Sequence, residues 1–165
     1  PAPCRKAIKD ALKVMMSGTE DEMIDFIDQF RKKFRSLPPE EISFPRTVSD
    51  VVKYKGRNAI YEKGTPIHAR GSLLFNHHIK RLKLEGKYSL IGNGEKVKFC
   101  YLRSPNPIHE NVMSFIQDFP REIGIEKYID YDLQFEKSFL DPLKIILDVI
   151  QWNVEKTASL ESFFS

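Results

Sequence analysis

Lys53-Tyr54-Lys55-Gly56-Arg57 opens the stretch on which the reading of this chain turns. Glu62-Lys63-Gly64-Thr65-Pro66-Ile67-His68-Ala69-Arg70-Gly71 continues it, and His77-His78-Ile79-Lys80-Arg81-Leu82-Lys83 closes it. The stretch is half loop and half helix, with the boundary at Thr65-Pro66. Pro suits the first helical position because its ring fixes φ and the missing N–H is one the helix leaves unpaired anyway, with Thr65 as the expected cap. Ile67, Leu74, Phe75, Ile79 and Leu82 are then the apolar positions, and Arg70, His77, Lys80 and Arg81 fall to other faces. The 31 residues from Lys53 to Lys83 hold eight Lys or Arg and one acid, a net of +7, against +3 for the whole 165-residue chain. The remaining 134 residues therefore carry −4. One strongly basic stretch sits on a slightly acidic body. Tyr54 and Tyr61 are interleaved with the cations, and Gly56, Gly64 and Gly71 allow close backbone approach, the footprint of a phosphate-backbone binder. A helix with His68 in its first turn and Arg70 in its second can point donors at a phosphate. The competing reading is a solvated basic face.

Working toward the N-terminal side, Val48, Val51 and Val52 form a short apolar patch in an otherwise irregular 40–65 segment. Before it, residues 3–16 read as a helix with Cys4, Ile8, Ala11, Leu12 and Met15 on one face. Ser17-Gly18 stops it, with Gly expected in the left-handed conformation. Thr19 and Glu22 have capping-box spacing. Met23, Phe26, Ile27, Phe30 and Phe34 then make an apolar stripe that ends at Leu37-Pro38-Pro39, so the two helices should form an antiparallel hairpin with the stripe as core. Arg31, Lys32, Lys33 and Arg35 crowd its last turns, where cations suit the helix dipole.

On the C-terminal side the period changes. Tyr88 and Leu90, a Gly92-Asn93-Gly94 turn, then Val97, Phe99 and Tyr101 predict a β-hairpin. Residues 104–124 read as a Pro-punctuated connection. Residues 125–140 read as a helix with Ile125, Tyr128, Ile129, Leu133 and Phe139 inward. Asp141-Pro142 is expected to cap and restart it, with Leu143, Ile146, Leu147 and Ile150 inward. The expected class is α+β, predominantly α, with a small β-hairpin insertion. The last stretch, Thr157 to Ser165, is polar apart from Leu160, Phe163 and Phe164, which one helical turn would gather into an apolar plug.

Composition permits one ordinary domain, and twelve Phe residues give it core material. No apolar run approaches the ~18 residues of a membrane helix, and Pro1 to Leu12 is basic and amphipathic rather than a signal sequence. Cys4 and Cys100 fit no metal spacing or disulfide framework, which suggests reduced thiols in a cytosolic setting. Asp130-Tyr131-Asp132 invites a two-metal site, but on a helix side chains two apart diverge. His68, His77, His78 and His109 have no paired ligands at a spacing of four, and His109-Glu110 lacks the second His of a metalloprotease helix. No phosphate-cradling Gly loop and no nucleophile elbow is present. The expectation is no catalytic residue and no metal ligand in this chain.

The order of several short motifs carries a resemblance: Ala11-Leu12-Lys13, the helix through Phe26 to Phe34, Val51-Val52-Lys53-Tyr54, Thr65-Pro66-Ile67-His68-Ala69-Arg70-Gly71, Asn106-Pro107-Ile108-His109, and Phe135-Glu136-Lys137-Ser138-Phe139-Leu140-Asp141-Pro142-Leu143. Together they resemble the thumb domain of the replicative family B DNA polymerases of T-even-type bacteriophages, over nearly the whole chain. The resemblance implies an α-rich C-terminal thumb over residues 1–156 that grips primer-template duplex DNA without sequence preference. It implies a sliding-clamp-binding tail over 157–165, with Leu160, Phe163 and Phe164 as its anchors and Thr157 where many such peptides carry Gln. Lys53, Tyr54, Arg70 and Lys137 match the family's duplex contacts by position, and Lys55, Arg57, Lys63 and His68 complete the DNA-binding set. Lys63 sits one residue further from Arg70 than the family's Lys, and Asp141 stands where the family has another Lys. The implied partners are the duplex, the clamp and the remaining exonuclease, palm and fingers portion. Magnesium belongs to the complete polymerase, whose metal motif this chain lacks, and the implied setting is the cytoplasm of a bacterial host. The chain reads as a fragment or as one subunit of a split polymerase. Two rival readings are a protein-interaction adaptor and a stand-alone RNA-binding accessory protein; the second lacks a clustered aromatic stacking platform.

Overall fold

A computed structural model describes residues 1–152, which fall into two compact units. Among these residues the class is α+β, predominantly α, as expected. No helix in them is long and apolar enough to cross a membrane.

The first unit, drawn from residues 1–42 and from 131 onward, is helical. Helices α1 (Ala2–Ser17) and α2 (Glu20–Arg35) form the expected hairpin. Thr19 Oγ1 accepts the amide of Glu22 at 3.2 Å, satisfying one donor of the α2 first turn. Gly18 departs from expectation: its φ of −108° and ψ of −170° are extended, not left-handed. Glycine is needed there for space, because a Cβ would lie 2.7 Å from Glu22 Oε2 and 2.8 Å from the Val14 carbonyl oxygen. A short helix α3 (Pro39–Ile42) follows. Helices α5 (Tyr131–Phe135) and α6 (Asp141–Val149) are joined by a π-helical turn, Glu136–Leu140.

That turn replaces the expected cap and restart. Asp141 is helical, with φ −61° and ψ −49°, so the chain runs through without a break. Pro142 has no N–H for the carbonyl four residues back and its ring crowds that carbonyl; widening the helix by one residue in the preceding turn accommodates both. Ser138 Oγ donates to the Gln134 carbonyl within the widened segment. The core is aromatic. The ring of Phe30 lies 4.8 Å from Phe139 and 5.7 Å from Phe135, and Phe34 lies 5.3 Å from Phe135, mostly in edge-on or tilted geometries that suit ring quadrupoles. Met23, Ile27, Leu143 and Leu147 close around them, while Ile150, expected inward, is 37% exposed, and Ile145 and Val149 lie open at 72% and 81%. Gln134 is fully buried and donates to the Ile42 carbonyl at 2.9 Å, which fixes α3 to α5.

The second unit spans Ser43–Asp130. Its sheet has the order β1-β2-β3, all antiparallel: β1 (Phe44–Val48), β2 (Glu95–Tyr101) and β3 (Val112–Phe115). Phe44 pairs with Phe99 and Val48 with Glu95; Lys98 pairs with Phe115 and Tyr101 with Val112. Strand β2 was legible from its alternation, but its expected partner was not. Residues 88–91 are no strand, because their polar groups are used elsewhere. Asn76 bonds both backbone groups of Ile91, at 2.7 and 2.9 Å, and the Tyr88 hydroxyl donates to Glu122 at 2.7 Å. The strands that pair with β2 come instead from the 40–65 segment, read as irregular, and the 104–124 segment, read as a Pro-punctuated connection. Pro45 sits in β1, at the edge of the sheet, where a missing N–H is tolerated.

Helix α4 (Ile67–Arg81) covers β3. Its N-cap is Pro66, without a side-chain cap bond; the Thr65 hydroxyl, expected to cap, donates to the Glu62 carbonyl at 2.5 Å instead. The closest approach is at Gly71, where a Cβ would stand 2.3 Å from Ser114 Oγ and 2.9 Å from the Ser114 amide nitrogen. The missing side chain of Gly71 thus serves helix–strand packing rather than approach to a ligand.

Candidate nucleic-acid interface

The loop from residue 49 to residue 66 and the start of α4 carry most of the basic stretch, and local hydrogen bonds determine their shape. Asp50 Oδ1 accepts the Lys53 amide at 2.9 Å and opens a 3₁₀ turn, Val52–Tyr54. Asn93 Oδ1 accepts the amides of Val51 at 2.6 Å and Val52 at 3.3 Å, tying the turn to the segment before β2. Lys55 and Tyr61 form an isolated antiparallel bridge, and the Glu62 amide donates to the Tyr54 carbonyl at 2.8 Å. The excursion between them is tight: a Cβ on Gly56 would fall 2.4 Å from the Ala59 carbonyl oxygen. Gly56, like Gly71, is used internally. Gly64 takes φ +84°, a conformation that favours glycine, with nothing near its missing side chain.

On this frame Lys53, Lys55, Arg57 and Lys63 are exposed. The Lys53 ammonium lies 5.3 Å from the Tyr54 ring centre. Arg70 is set differently. It is half-buried, its guanidinium carbon lies 5.7 Å from the Tyr61 ring centre, and its Nε is buried without a hydrogen-bond partner. The Tyr61 hydroxyl donates to both oxygens of Glu110, at 2.8 and 3.0 Å. Burial and that carboxylate push the Tyr61 phenol above its ordinary pKa, with Arg70 pulling the other way. Glu110, Tyr61 and Arg70 are therefore one connected group, and Glu110 is the member the motif reading passed over. Its partner lies 49 residues away, and no local spacing signals such a pair.

His68 is half-buried, and burial, then the charge of Arg46, holds its imidazole below the ordinary pKa. At neutral pH it is an uncharged hydrogen-bonding group rather than a cation. Its carbonyl accepts Ser72 Oγ at 2.7 Å and Ser114 Oγ at 3.0 Å, which secures the start of α4 to β3. Further along α4, His78 is buried, and its pKa is pushed down to about 4 by burial and by the neighbouring His77 and Arg81.

Lys137 belongs to the other unit, where the π turn presents it at an exposed position with Asp141 four residues on. The Asp130-Tyr131-Asp132 carboxylates do not form a site: Asp132 is paired with Arg35 at 2.9 Å, and no cluster of three or more metal-ligating side chains occurs among the described residues. Leu160, Phe163 and Phe164 lie outside the described residues.

No family model matches the chain. Two curated relatives do. Over 168 residues, 99% of this chain, it is 26% identical to a DNA-directed DNA polymerase of Enterobacteria phage T4. Over 169 residues, again 99% of the chain, it is 27% identical to a DNA-directed DNA polymerase of Escherichia phage RB69. In each case the chain spans 18% of the relative's length. The resemblance read from motif order is thereby borne out: from end to end this chain is similar to one part of the DNA-directed DNA polymerases of T-even-type phages.

Proposed function

We propose that this chain is the thumb portion of a phage replicative DNA polymerase and grips primer-template duplex DNA along its phosphate backbone. The observation that carries the reading is the set of exposed cations on one hydrogen-bonded loop, Lys53, Lys55, Arg57 and Lys63, with Arg70 beside them on α4. Cations held in fixed positions on an exposed loop neutralise phosphates and position a duplex without reading its sequence. Arg70 can offer a planar fork of donors, and the Tyr61–Glu110 hydrogen bond holds the ring against which it rests. Lys137 supplies a contact from the helical unit, and His68 acts as a neutral donor or acceptor. Leu160, Phe163 and Phe164 form the sliding-clamp anchor. The exposed Ile145 and Val149 on α6 suit the remaining polymerase portion. In such an assembly the chain holds the duplex, while magnesium-dependent nucleotidyl transfer belongs to that portion.

Fluorescence anisotropy with a labelled blunt duplex tests the grip. With roughly three to five phosphates neutralised, log K against log salt should slope by about −3 to −4.5. Arg70→Ala should weaken binding to all sequences alike and reduce the slope by about one. A flat salt dependence, or a preference for one sequence, would exclude this function. Removing residues 160–165 should leave duplex binding intact and abolish capture by the cognate clamp. Retained capture places the clamp contact elsewhere.

A further inference from the structure

Within the sheet-bearing unit, the 51–60 loop, α4 and the segment around Ile91 enclose a half-open cleft of about 580 Å³. Its floor is aliphatic, with Val51, Ile60 and Leu73, and its rim carries Lys55, Arg57 and Lys80. No acidic side chain lines it, and none of the three rim cations has an ion pair among the described residues. The walls are built rather than incidental. Asn76 clamps Ile91 through both backbone groups, and Asn93 holds the amides of Val51 and Val52.

Duplex phosphates would engage the rim but leave the floor empty. A ligand that uses both has an anionic group and a bulky, weakly polar body. The volume falls within the ~300–1,000 Å³ typical of small-molecule sites. A single apolar peptide side chain would leave most of it unfilled, whereas a base with its sugar and phosphate is of the right order. Asn58, which also lines the cleft, offers an amide donor and acceptor to a base edge. Apart from the His77 imidazole no aromatic side chain lines the cleft, so the base rests mainly on aliphatic groups. We propose that this cleft receives one unpaired nucleotide of a single-stranded extension, its base on Val51, Ile60 and Leu73 and its phosphate on Lys55, Arg57 and Lys80. The proposal deepens the DNA-binding reading by giving the basic loop a second role, that of sensing where the duplex ends.

The full chain is titrated against a blunt duplex and against the same duplex with a three-nucleotide extension carrying 2-aminopurine. The expected result is that the extended duplex binds about tenfold more tightly, a difference of about 1.4 kcal/mol. The 2-aminopurine, released from stacking on its neighbours, should brighten several-fold. Ala59→Trp, an exposed position that narrows the cleft, should remove both effects and leave blunt-duplex binding unchanged. Val52→Glu, at a 70% exposed position on the rim, should reduce the advantage of the extension. Equal affinity for the two duplexes without brightening overturns the cleft assignment while leaving the duplex reading standing. Brightening of a free single strand without blunt-duplex binding upholds the cleft and removes the duplex reading. Displacement by an acidic leucine-bearing peptide, with no response to the extension, reassigns the cleft to a protein partner and overturns the proposal.

Discussion

Both units have apolar cores, but the aromatic core of the helical unit and the loops of the sheet-bearing unit are held by different physics. In the first, four phenylalanine rings from α2 and from the α5–α6 segment meet in one cluster, with ring centres 4.8–6.0 Å apart. Its stability rests on area removed from water and on ring packing. In the loops, side-chain amides and hydroxyls fix the backbone: Asn76 to Ile91, Asn93 to Val51 and Val52, Tyr61 to Glu110. A non-directional core tolerates small shifts, while a loop fixed by two or three hydrogen bonds has one geometry or none. Candidate binding groups gather on the second kind of frame.

Four measurements would break or sharpen that contrast. The largest effect is expected in the aromatic cluster: Phe139→Ala should cost about 3–5 kcal/mol in denaturant unfolding, as a large buried ring leaves a cavity. A loss below about 1 kcal/mol would mean that the cluster collapses freely and is not the main support of its unit. Next comes acid. The folded-state pKa of His78 is about 4, below its unfolded value near 6.5, so protonation favours unfolding. Its contribution to stability is full above pH 6.5 and is lost as pH falls toward 4. Between those values the wild type should lose about 2–3 kcal/mol that His78→Gln does not lose. Parallel pH profiles for the two proteins would contradict this. Third, Gly71→Ala should destabilise by about 1–3 kcal/mol, since overpacking forces α4 off β3. Ser114→Gly in the same chain should restore part of it, by removing the hydroxyl but not the backbone contact. Smallest, Asn93→Ala should cost about 1–2 kcal/mol, because two loop amides lose their acceptor. Hydrogen exchange at Val51 and Val52 should rise far more than exchange in α2. A global rise instead would show that the loop and core are not separately held.

The same contrast explains what could be read from residues alone. The stripe Met23, Ile27, Phe30 and Phe34 repeats at helical spacing, and Thr19 marks its start, so α2 was legible to within a residue. The periodicity of β2 was equally plain, yet its partners were not, since pairing is decided by segments remote in sequence. The Gly92-Asn93-Gly94 signal was misread as a hairpin turn for this reason. Asn93 uses its side chain on Val51 and Val52, and the Gly94 amide donates to the Val48 carbonyl at 2.7 Å, so the segment leads to β1 and not back to Tyr88. The π turn was hidden because Asp-Pro reads as a cap when only local propensity is considered. For the candidate site, net charge located the loop, but its internal support by Glu110 and the internal use of Gly56 and Gly71 required three-dimensional neighbours.

The helical unit is discontinuous: its two parts are separated in sequence by the whole of Ser43–Asp130. On the ribosome, α1 and α2 emerge long before Phe135 and Phe139, and for that interval Phe30 and Phe34 have no aromatic partners from α5. The intervening unit has all three of its strands by Phe115, so it can form while the helical hairpin is still waiting. Once folded, it turns 88 flexible residues into a fixed spacer. The closure entropy of joining α2 to α5 then no longer has to be met in the step that forms the aromatic core. Synthesis thus imposes an order, with the sheet first and the aromatic core last. A lesion in the loops of the sheet unit would therefore appear in the cell as late exposure of phenylalanines that belong to the other unit.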